Sequence, residues 1–426
     1  MYPNLYYAVK DLFGIEPWRG LRFFNSFGFF VAISFILAAV TLSWELRRKS
    51  GLGLLHYEEE KLTVGRPATG AELLTNFLLG FLLGYKFIGA FTSSSPLAAN
   101  PSDYIFSLEG SWPLGIGVGL LFAGLKWWEK NKQKLAKPEE RTIRIWPQDR
   151  VGDLLIYAAI FGFLGAKIFH NLENWNDLVK DPIGSLLSFS GLTFYGGLIC
   201  AAAAIAFYAR KHRINFWHLS DAVAPGLMLA YAVGRLGCQV SGDGDWGIIN
   251  SAYVATPDAK VAPARGNDFT AALEANRGFY EHQFDSLSGV HHAYFHSNAL
   301  PTWMVAYTYP HNVINEGVHI QDCAGQYCSY LPLPVFPTPL YETIVGLLLF
   351  AFLWGIRKRI STPGVLFGIY LIVNGLERFF VEKIRINTKY NIFGFHPTQA
   401  EIISFLLVVG GIAMIVYFRK QARVAV

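Results

Sequence analysis

The chain has 426 residues, is 52% hydrophobic and only 16% charged, and carries a formal charge of +5. Soluble domains carry about a quarter charged residues, so this composition excludes an ordinary soluble globular protein. The 36 basic residues do not gather on one face, which speaks against nucleic acid as a partner.

In chain order, the segment Met1 to Gly14 lacks an apolar core followed by small residues, so no cleavable signal peptide is expected there. Apolar blocks long enough to cross a bilayer then follow one another. They predict an all-α polytopic integral membrane protein with nine transmembrane helices, near 22–45, 71–91, 112–128, 152–171, 191–209, 219–240, 336–356, 363–382 and 399–418. The loops at 46–70, 126–150, 210–218, 357–362 and 419–426 hold 22 Lys and Arg. The N-terminus and the loops near 92–111, 172–190, 241–335 and 383–398 hold 10. The richer side faces the cytoplasm. The N-terminus is therefore expected outside, the C-terminus in the cytoplasm, and 241–335 as an extracytoplasmic insert.

A shift of 81 residues lays 71–128 on 152–209 without a gap. Glu72-Leu73-Leu74 meets Asp153-Leu154-Leu155, and Gly84 and Lys86 meet Gly165 and Lys167. Ser107 and Gly110 meet Ser188 and Gly191, and Gly115 meets Gly196. The pattern predicts a duplicated two-helix unit inserted within a single domain spanning 1–426, against chance likeness between apolar helices. The second copy reads Tyr195-Gly196-Gly197 where the first reads Leu114-Gly115-Ile116. If one copy carries chemistry, it is the second.

Four polar elements are expected at the outer ends of helices. Tyr195-Gly196-Gly197 opens one helix, and Gly234-Arg235-Leu236-Gly237-Cys238 closes the next and leads into Ser241-Gly242-Asp243-Gly244-Asp245-Trp246-Gly247. Pro337 to Glu342 opens a third, and Glu377 to Glu382 closes a fourth. Arg235 and Arg378 lie at membrane depth, where a guanidinium costs about 2.5–3.5 kcal/mol even on the lenient insertion scale. An arginine cannot discharge there, and its planar fork matches a phosphate. The pair predicts a site for a phospholipid headgroup. Arg378 and Glu382 are four residues apart and share a helix face. The glycines either let a lipid approach or pack helices, and Glu342 either orients an arginine or caps its helix. Asp221 is expected as a cap or helix-orienting residue. Cys323 and Cys328, in the insert, are expected as a disulfide, with free thiols as the alternative. Zinc would need two further ligands. No P-loop, dinucleotide fingerprint, HExxH or nucleophile elbow occurs.

Residues 191–247 resemble the prolipoprotein diacylglyceryl transferase family of bacterial membrane enzymes. The resemblance rests on Tyr195-Gly196-Gly197-Leu198, Asp221, Gly234-Arg235-Leu236-Gly237 and Gly247. Downstream, Pro337-Thr338-Pro339-Leu340-Tyr341-Glu342 and Arg378-Phe379-Phe380-Val381-Glu382 extend it, so that it covers roughly 190–420. It departs from the family where Tyr195 replaces a histidine, Cys238 and Ser241 replace asparagines, Asp243 replaces a glutamate and Asn374 replaces a tyrosine.

The resemblance implies seven helices, with the pair at 71–128 added. It implies transfer of the sn-1,2-diacylglyceryl group from phosphatidylglycerol to the lipobox cysteine thiol of preprolipoproteins, at the outer leaflet of the bacterial inner membrane. Glycerol phosphate would be released, and no metal or cofactor is required. Arg235 and Arg378 would stabilise the leaving phosphate, Tyr195 would orient lipid or relay a proton, and Glu382 and Asp243 would hold the arginines or accept the proton. Gly196, Gly197, Gly234, Gly237, Cys238, Gly247, Glu342 and Asn374 would line the substrate site. The alternatives are an inactive phospholipid-binding relative and a lipid transporter.

Overall fold

A computed structural model describes residues 1–92, 104, 107–187, 193–284, 286–323, 325–385, 390 and 395–424. They form two compact units. The first comprises Met1–Glu16, Phe24–Leu42 and Trp217–Val426; the second comprises Pro17–Phe23 and Ser43–Phe216.

The chain starts with a short helix α1 (Leu5–Phe13), capped by the Asn4 side chain. The first long helix, α2 (Ser26–Gly51), begins later than its apolar block suggests. Residues Arg19–Phe23 form a 3-10 turn, and the Asn25 side chain accepts from Phe27 N–H at 2.8 Å, which fixes the helix start. At its other end α2 runs on past Arg47, Arg48 and Lys49.

The second unit contains two helix hairpins. In one, α3 (Gly70–Leu82) opens with a Thr69–Glu72 capping box, continues through a π-helical stretch Leu83–Ile88, and pairs with α4 (Trp112–Lys132). In the other, α5 (Val151–Glu173) pairs with α6 (Phe194–Lys211). Both close at glycines: a side chain at Gly84 would strike the Leu114 carbonyl, and one at Gly165 the Gly196 carbonyl. Ser111 N–H donates to Tyr85 O at 3.0 Å, and Thr193 N–H to Ala166 O at 3.1 Å. These partners lie 81 residues apart in the first helix of each pair and 82 apart in the second. The gapless alignment is thus corrected by one residue, and Gly115 corresponds in space to Gly197. Ser188 and Gly191 lie outside the described residues.

One element was not foreseen. Strand β1 (Glu58–Val64) pairs antiparallel with β2 (Glu139–Ile145), Glu58 opposite Ile145. Both fall in stretches read as cytoplasmic loops, so the chain is mostly helical and not all-α. Arg144 reaches Glu59 across the pair at 3.2 Å.

In the first unit, α7 (Phe216–Ser241) packs on α2, where Gly226 faces Ala38 and Gly237 faces Phe27 and Phe30. Helices α8 (Thr338–Ile356), α9 (Val365–Glu382) and α10 (Gln399–Val424) complete it. Met228, Leu353 and Leu366 form a core between α7, α8 and α9. Asp221 accepts from Gly364 N–H and Phe367 N–H, each at 2.9 Å, and so caps α9 from a neighbouring helix.

The segment 241–335 is a folded body with its own apolar core, including Trp246, Ile249, Tyr280, Tyr309 and Leu333. Strand β3 (Ile249–Asn250) runs parallel to β4 (His292–Ala293), and Cys323 and Cys328 are joined by a disulfide.

Six helical stretches among the described residues are long and apolar enough to cross a membrane: Ser26–Gly51, Gly70–Thr92, Pro147–Glu173, Phe216–Ser241, Thr338–Ile356 and Gln399–Ala422. The chain is a multi-pass integral membrane protein by this measure. Helices α4, α6 and α9 also form; α4 and α6 end in charged residues that lower their hydropathy, and α9 carries Glu377, Arg378 and Glu382 in its last two turns.

Candidate functional site

Glu342 sits in the second turn of α8 with none of its side chain exposed. A buried carboxylate needs cations, and here it has three. Its Oε2 lies 3.2 Å from Arg235 Nε, and its Oε1 lies 3.2 Å from Arg378 Nη1 and 3.6 Å from Arg385 Nη1. It therefore orients arginines instead of capping its helix.

Asp245 forms the second anionic centre. Arg385 Nη2 contacts its Oδ1 at 2.7 Å, and Arg235 Nη1 pairs with its Oδ2. Arg235, Glu342, Arg385 and Asp245 thus close a ring of alternating charge. Arg378 joins this ring through Glu342 and is held by Glu382 at 3.0 Å, one helical turn on. Tyr231 donates to Glu342 at 3.0 Å and lies 3.2 Å from both Glu377 oxygens, while the Arg235 guanidinium lies 5.5 Å from the Tyr231 ring centre.

The turn after α7 supplies the acidic pair. Gly242 and Gly244 have φ of +65° and +99°, which lets the chain double back and bring Asp243 and Asp245 to the helix end. Thr338 fixes the turn by donating to the Asp245 carbonyl at 2.8 Å. Burial pushes the Asp243 carboxyl up from the ordinary aspartate value; a hydrogen bond from Cys238 partly offsets this, and the charge of Asp245 adds to the rise. Burial also pushes Asp245 up, but Arg385 and Arg235 outweigh it and hold that carboxyl low. Of the two, Asp243 is the more basic carboxylate.

A raised carboxyl pKa means that the folded protein binds this proton more tightly than the unfolded chain does. Ionised Asp243 therefore lowers stability at neutral pH, and that cost disappears as pH falls below the unfolded value. Asp243→Asn is expected to melt above the parent at neutral pH. The difference should narrow as pH falls from the raised value and be gone below the ordinary aspartate value, as thermal unfolding across pH would show.

The sequence-predicted residues separate by unit. Arg235, Arg378, Glu342, Glu382, Asp243, Cys238, Gly234, Gly237, Gly247 and Asn374 belong to the first unit; Tyr195, Gly196 and Gly197 belong to the second. Arg235, Arg378, Glu342 and Glu382 come together directly. Cys238 is buried, with its sulfur 3.9 Å from Arg235 Nη1. Gly234 has open space before it, whereas Gly237 packs on α2, and a Cβ added at Gly247 would come within 2.7 Å of Ile384 O. Gly196 and Gly197 are taken up by packing against α5. Asn374, half-buried, lies one turn before Arg378.

Four members of the cluster are not among the expected site residues: Asp245 and Glu377, which lie in the expected polar elements, and Tyr231 and Arg385, which do not. Arg385 lies just past the end of α9, among the charges of the loop near 383–398. Its signal was the spacing Arg378, Glu382, Arg385, which keeps one face for two turns.

Two triads among the described residues have ligand atoms close enough for a cation: Cys238, Asp243 and Asp245, and, in the second unit, Glu58, Glu60 and His212. Each already has a guanidinium paired with one or more of its carboxylates. Arg235 and Arg385 pair with Asp245; Arg150 contacts Glu58 at 2.8 Å and also pairs with Glu60.

Comparison with known proteins gives a consistent match. The profile of the family described as prolipoprotein diacylglyceryl transferase matches residues 114–417. A phosphatidylglycerol–prolipoprotein diacylglyceryl transferase of Shouchella clausii is 27% identical over 278 residues, 65% of this chain and 78% of the relative. A protein of the same name from Chlorobaculum tepidum is 24% identical over 342 residues, 77% of this chain and 93% of the relative. One from Listeria welshimeri is 27% identical over 296 residues, 69% of this chain and 79% of the relative.

Proposed function

The chain belongs to the prolipoprotein diacylglyceryl transferase family, and from that premise we propose how its residues carry out the reaction. It is a membrane transferase for the first step of lipoprotein maturation. The relatives' name gives phosphatidylglycerol as donor and a prolipoprotein as acceptor. In our reading the acceptor atom is the lipobox cysteine sulfur, and the signal peptide carries it to the site within the bilayer.

The thiolate attacks the sn-3 carbon of the diacylglyceryl group. A C–S bond forms, the C–O bond to phosphate breaks, and glycerol phosphate leaves with the bonding electrons. The thiol starts with a pKa of about 8.5, so a positive site that favours the thiolate speeds the attack. Charge grows on the phosphate in the transition state, where fixed guanidinium donors act most strongly. Arg235 and Arg378 are those donors in our reading. A guanidinium has five N–H groups, and the carboxylates around each arginine do not use them all.

Glu342 and Glu382 hold the arginines in place, and Asp243, with its raised pKa, takes the thiol proton. Tyr195 orients lipid. In this reading Gly234, Cys238 and Asn374 line the substrate path beside the arginines, while Gly196, Gly197, Gly237 and Gly247 act through close packing within their own units. The observation that carries this reading is the pair of partly buried arginines fixed on the buried Glu342 within the family match.

We further place nine helices across the bacterial inner membrane, with the N-terminus and the 241–335 body outside, the C-terminus inside and the site toward the outer leaflet. The basic-residue asymmetry supports this orientation. The whole chain is one membrane domain in which 71–128 duplicates 152–209; the shared hairpin contacts support that origin.

The test is complementation in a strain depleted of its own transferase. Wild-type protein and Tyr195→Phe are expected to restore growth, and membrane-inserted Arg235→Ala is not. Loss of rescue in Tyr195→Phe would show that a phenolic proton is needed. Failure of well-expressed wild type would overturn the reading.

A further inference from the structure

From Ser286 to Asn315 the chain contains no Asp, Glu, Lys or Arg, although the preceding part of the same body is rich in them. The middle of this run is a loop closed at its base by one buried residue. Asn250 Nδ2 donates to Phe295 O at 2.9 Å and to Val305 O at 3.0 Å, and its Oδ1 accepts from Phe295 N–H at 3.1 Å. This loop and the residue entering it carry exposed apolar side chains: Tyr294 at 76%, just before the first anchor, Phe295 at that anchor, and Leu300 and Trp303 (53%) in the excursion between them.

The height of this loop is set by its contact with α8. Tyr341, the fourth residue of that helix, donates its hydroxyl to Met304 O at 2.6 Å. The Phe295 ring lies 6.5 Å from that of Phe336, two residues before the helix. With 19 residues α8 spans roughly 28 Å, close to the thickness of a hydrocarbon core. A helix that only just spans has its first turn at the membrane boundary, so the loop lies at that boundary too.

We propose that Tyr294, Phe295, Leu300 and Trp303 form a membrane-surface anchor that dips into the headgroup and glycerol layer of the leaflet entered by the start of α8. Trp and Tyr favour this layer because one end of the ring is apolar and the other can reach water. The absence of charge fits the same layer, and continuity with a membrane-crossing helix identifies lipid as the occupant. Asn250 makes the device stiff by tying both ends of the loop to β3. The anchor holds the extramembrane body against the bilayer next to the charge ring, since Phe336 and Thr338 lead from the loop's base to Asp245 and Glu342. The inference rests on α8 crossing the membrane and is independent of the reaction assigned to the protein.

The test uses the full chain in phosphatidylglycerol-containing lipid nanodiscs with Cys200→Ala removing the more accessible free thiol. Nitroxide labels are placed by Trp303→Cys and Tyr294→Cys, and by Lys260→Cys, a water-exposed control. The two loop labels are expected to show an oxygen-to-nickel collision ratio several-fold above that of the control. They should also lose signal to paramagnetic lipids labelled near the headgroup. Equal nickel access at 303, 294 and 260 would overturn the proposal. So would protection from nickel without any effect of the labelled lipids, because protein would then be covering the loop. Failure of transferase activity in these variants bears on the reaction and leaves the depth measurement readable.

Discussion

Glu342→Ala is expected to destabilise the protein by about 3–5 kcal/mol, because it strips the shared counter-charge from partly buried arginines. Arg235, Arg378 and Arg385 all contact this one carboxylate, and Tyr231 donates to it. The loss should be larger than for Glu382→Ala, since Glu382 contacts Arg378, which keeps Glu342. Glu342→Gln separates charge from shape. It retains volume and acceptor oxygen but not the negative charge, so it should fall between wild type and alanine. Denaturation midpoints in detergent would rank the three. If Glu342→Ala and Glu382→Ala were equal, Glu342 would not be the centre of the cluster. Transfer activity should fall with the same substitution, as freed guanidinium groups lose their fixed direction.

Arg235→Ala is expected to lower kcat by about 10²–10³, the range for removal of one donor aimed at developing negative charge. Here the donor is argued to meet the leaving phosphate. Arg235→Lys should recover little, although it keeps the charge. A lysine has one nitrogen, whereas Arg235 reaches Glu342 through Nε and Asp245 through Nη1 at the same time. Mass-shifted lipobox peptide, followed in phosphatidylglycerol nanodiscs, reads the rate. Full activity in Arg235→Lys would mean that charge alone suffices and that the fork geometry has no part. Full activity in Arg235→Ala would remove Arg235 from the mechanism.

Much of this architecture is legible in the chain because membranes impose a coarse rule. Apolar runs of sufficient length mark helices, so the helical stretches were found near their observed positions. Their ends were less accurate: at α2 a capping asparagine, not hydropathy, decides where the helix begins. Arg235, Arg378 and Glu342 could be singled out because charge at membrane depth is costly and therefore conspicuous. Asp245 and Arg385 carry no such mark. They stand in turns just beyond helix ends, where charged residues are ordinary, and only the folding of Gly242-Asp243-Gly244 selects Asp245 over Asp243 for the ring. The β1–β2 pair was missed because its strands stand about 80 residues apart in sequence, beyond the reach of local pattern. Their alternation, in Lys61-Leu62-Thr63-Val64 and Thr142-Ile143-Arg144-Ile145, is the available hint.

The closed ring also sets an order of events during synthesis. Arg235 and Asp245 leave the ribosome ten residues apart, but Glu342 follows only after the 241–335 body, and Arg385 later still. While the chain grows, Asp245 is the ring partner that Arg235 has at hand. A guanidinium that enters the bilayer already matched by a carboxylate carries less net charge into lipid. Chain order thus makes Asp245 the first ring partner available to Arg235, before α8 and α9 bring Glu342 and Arg385 to complete the ring.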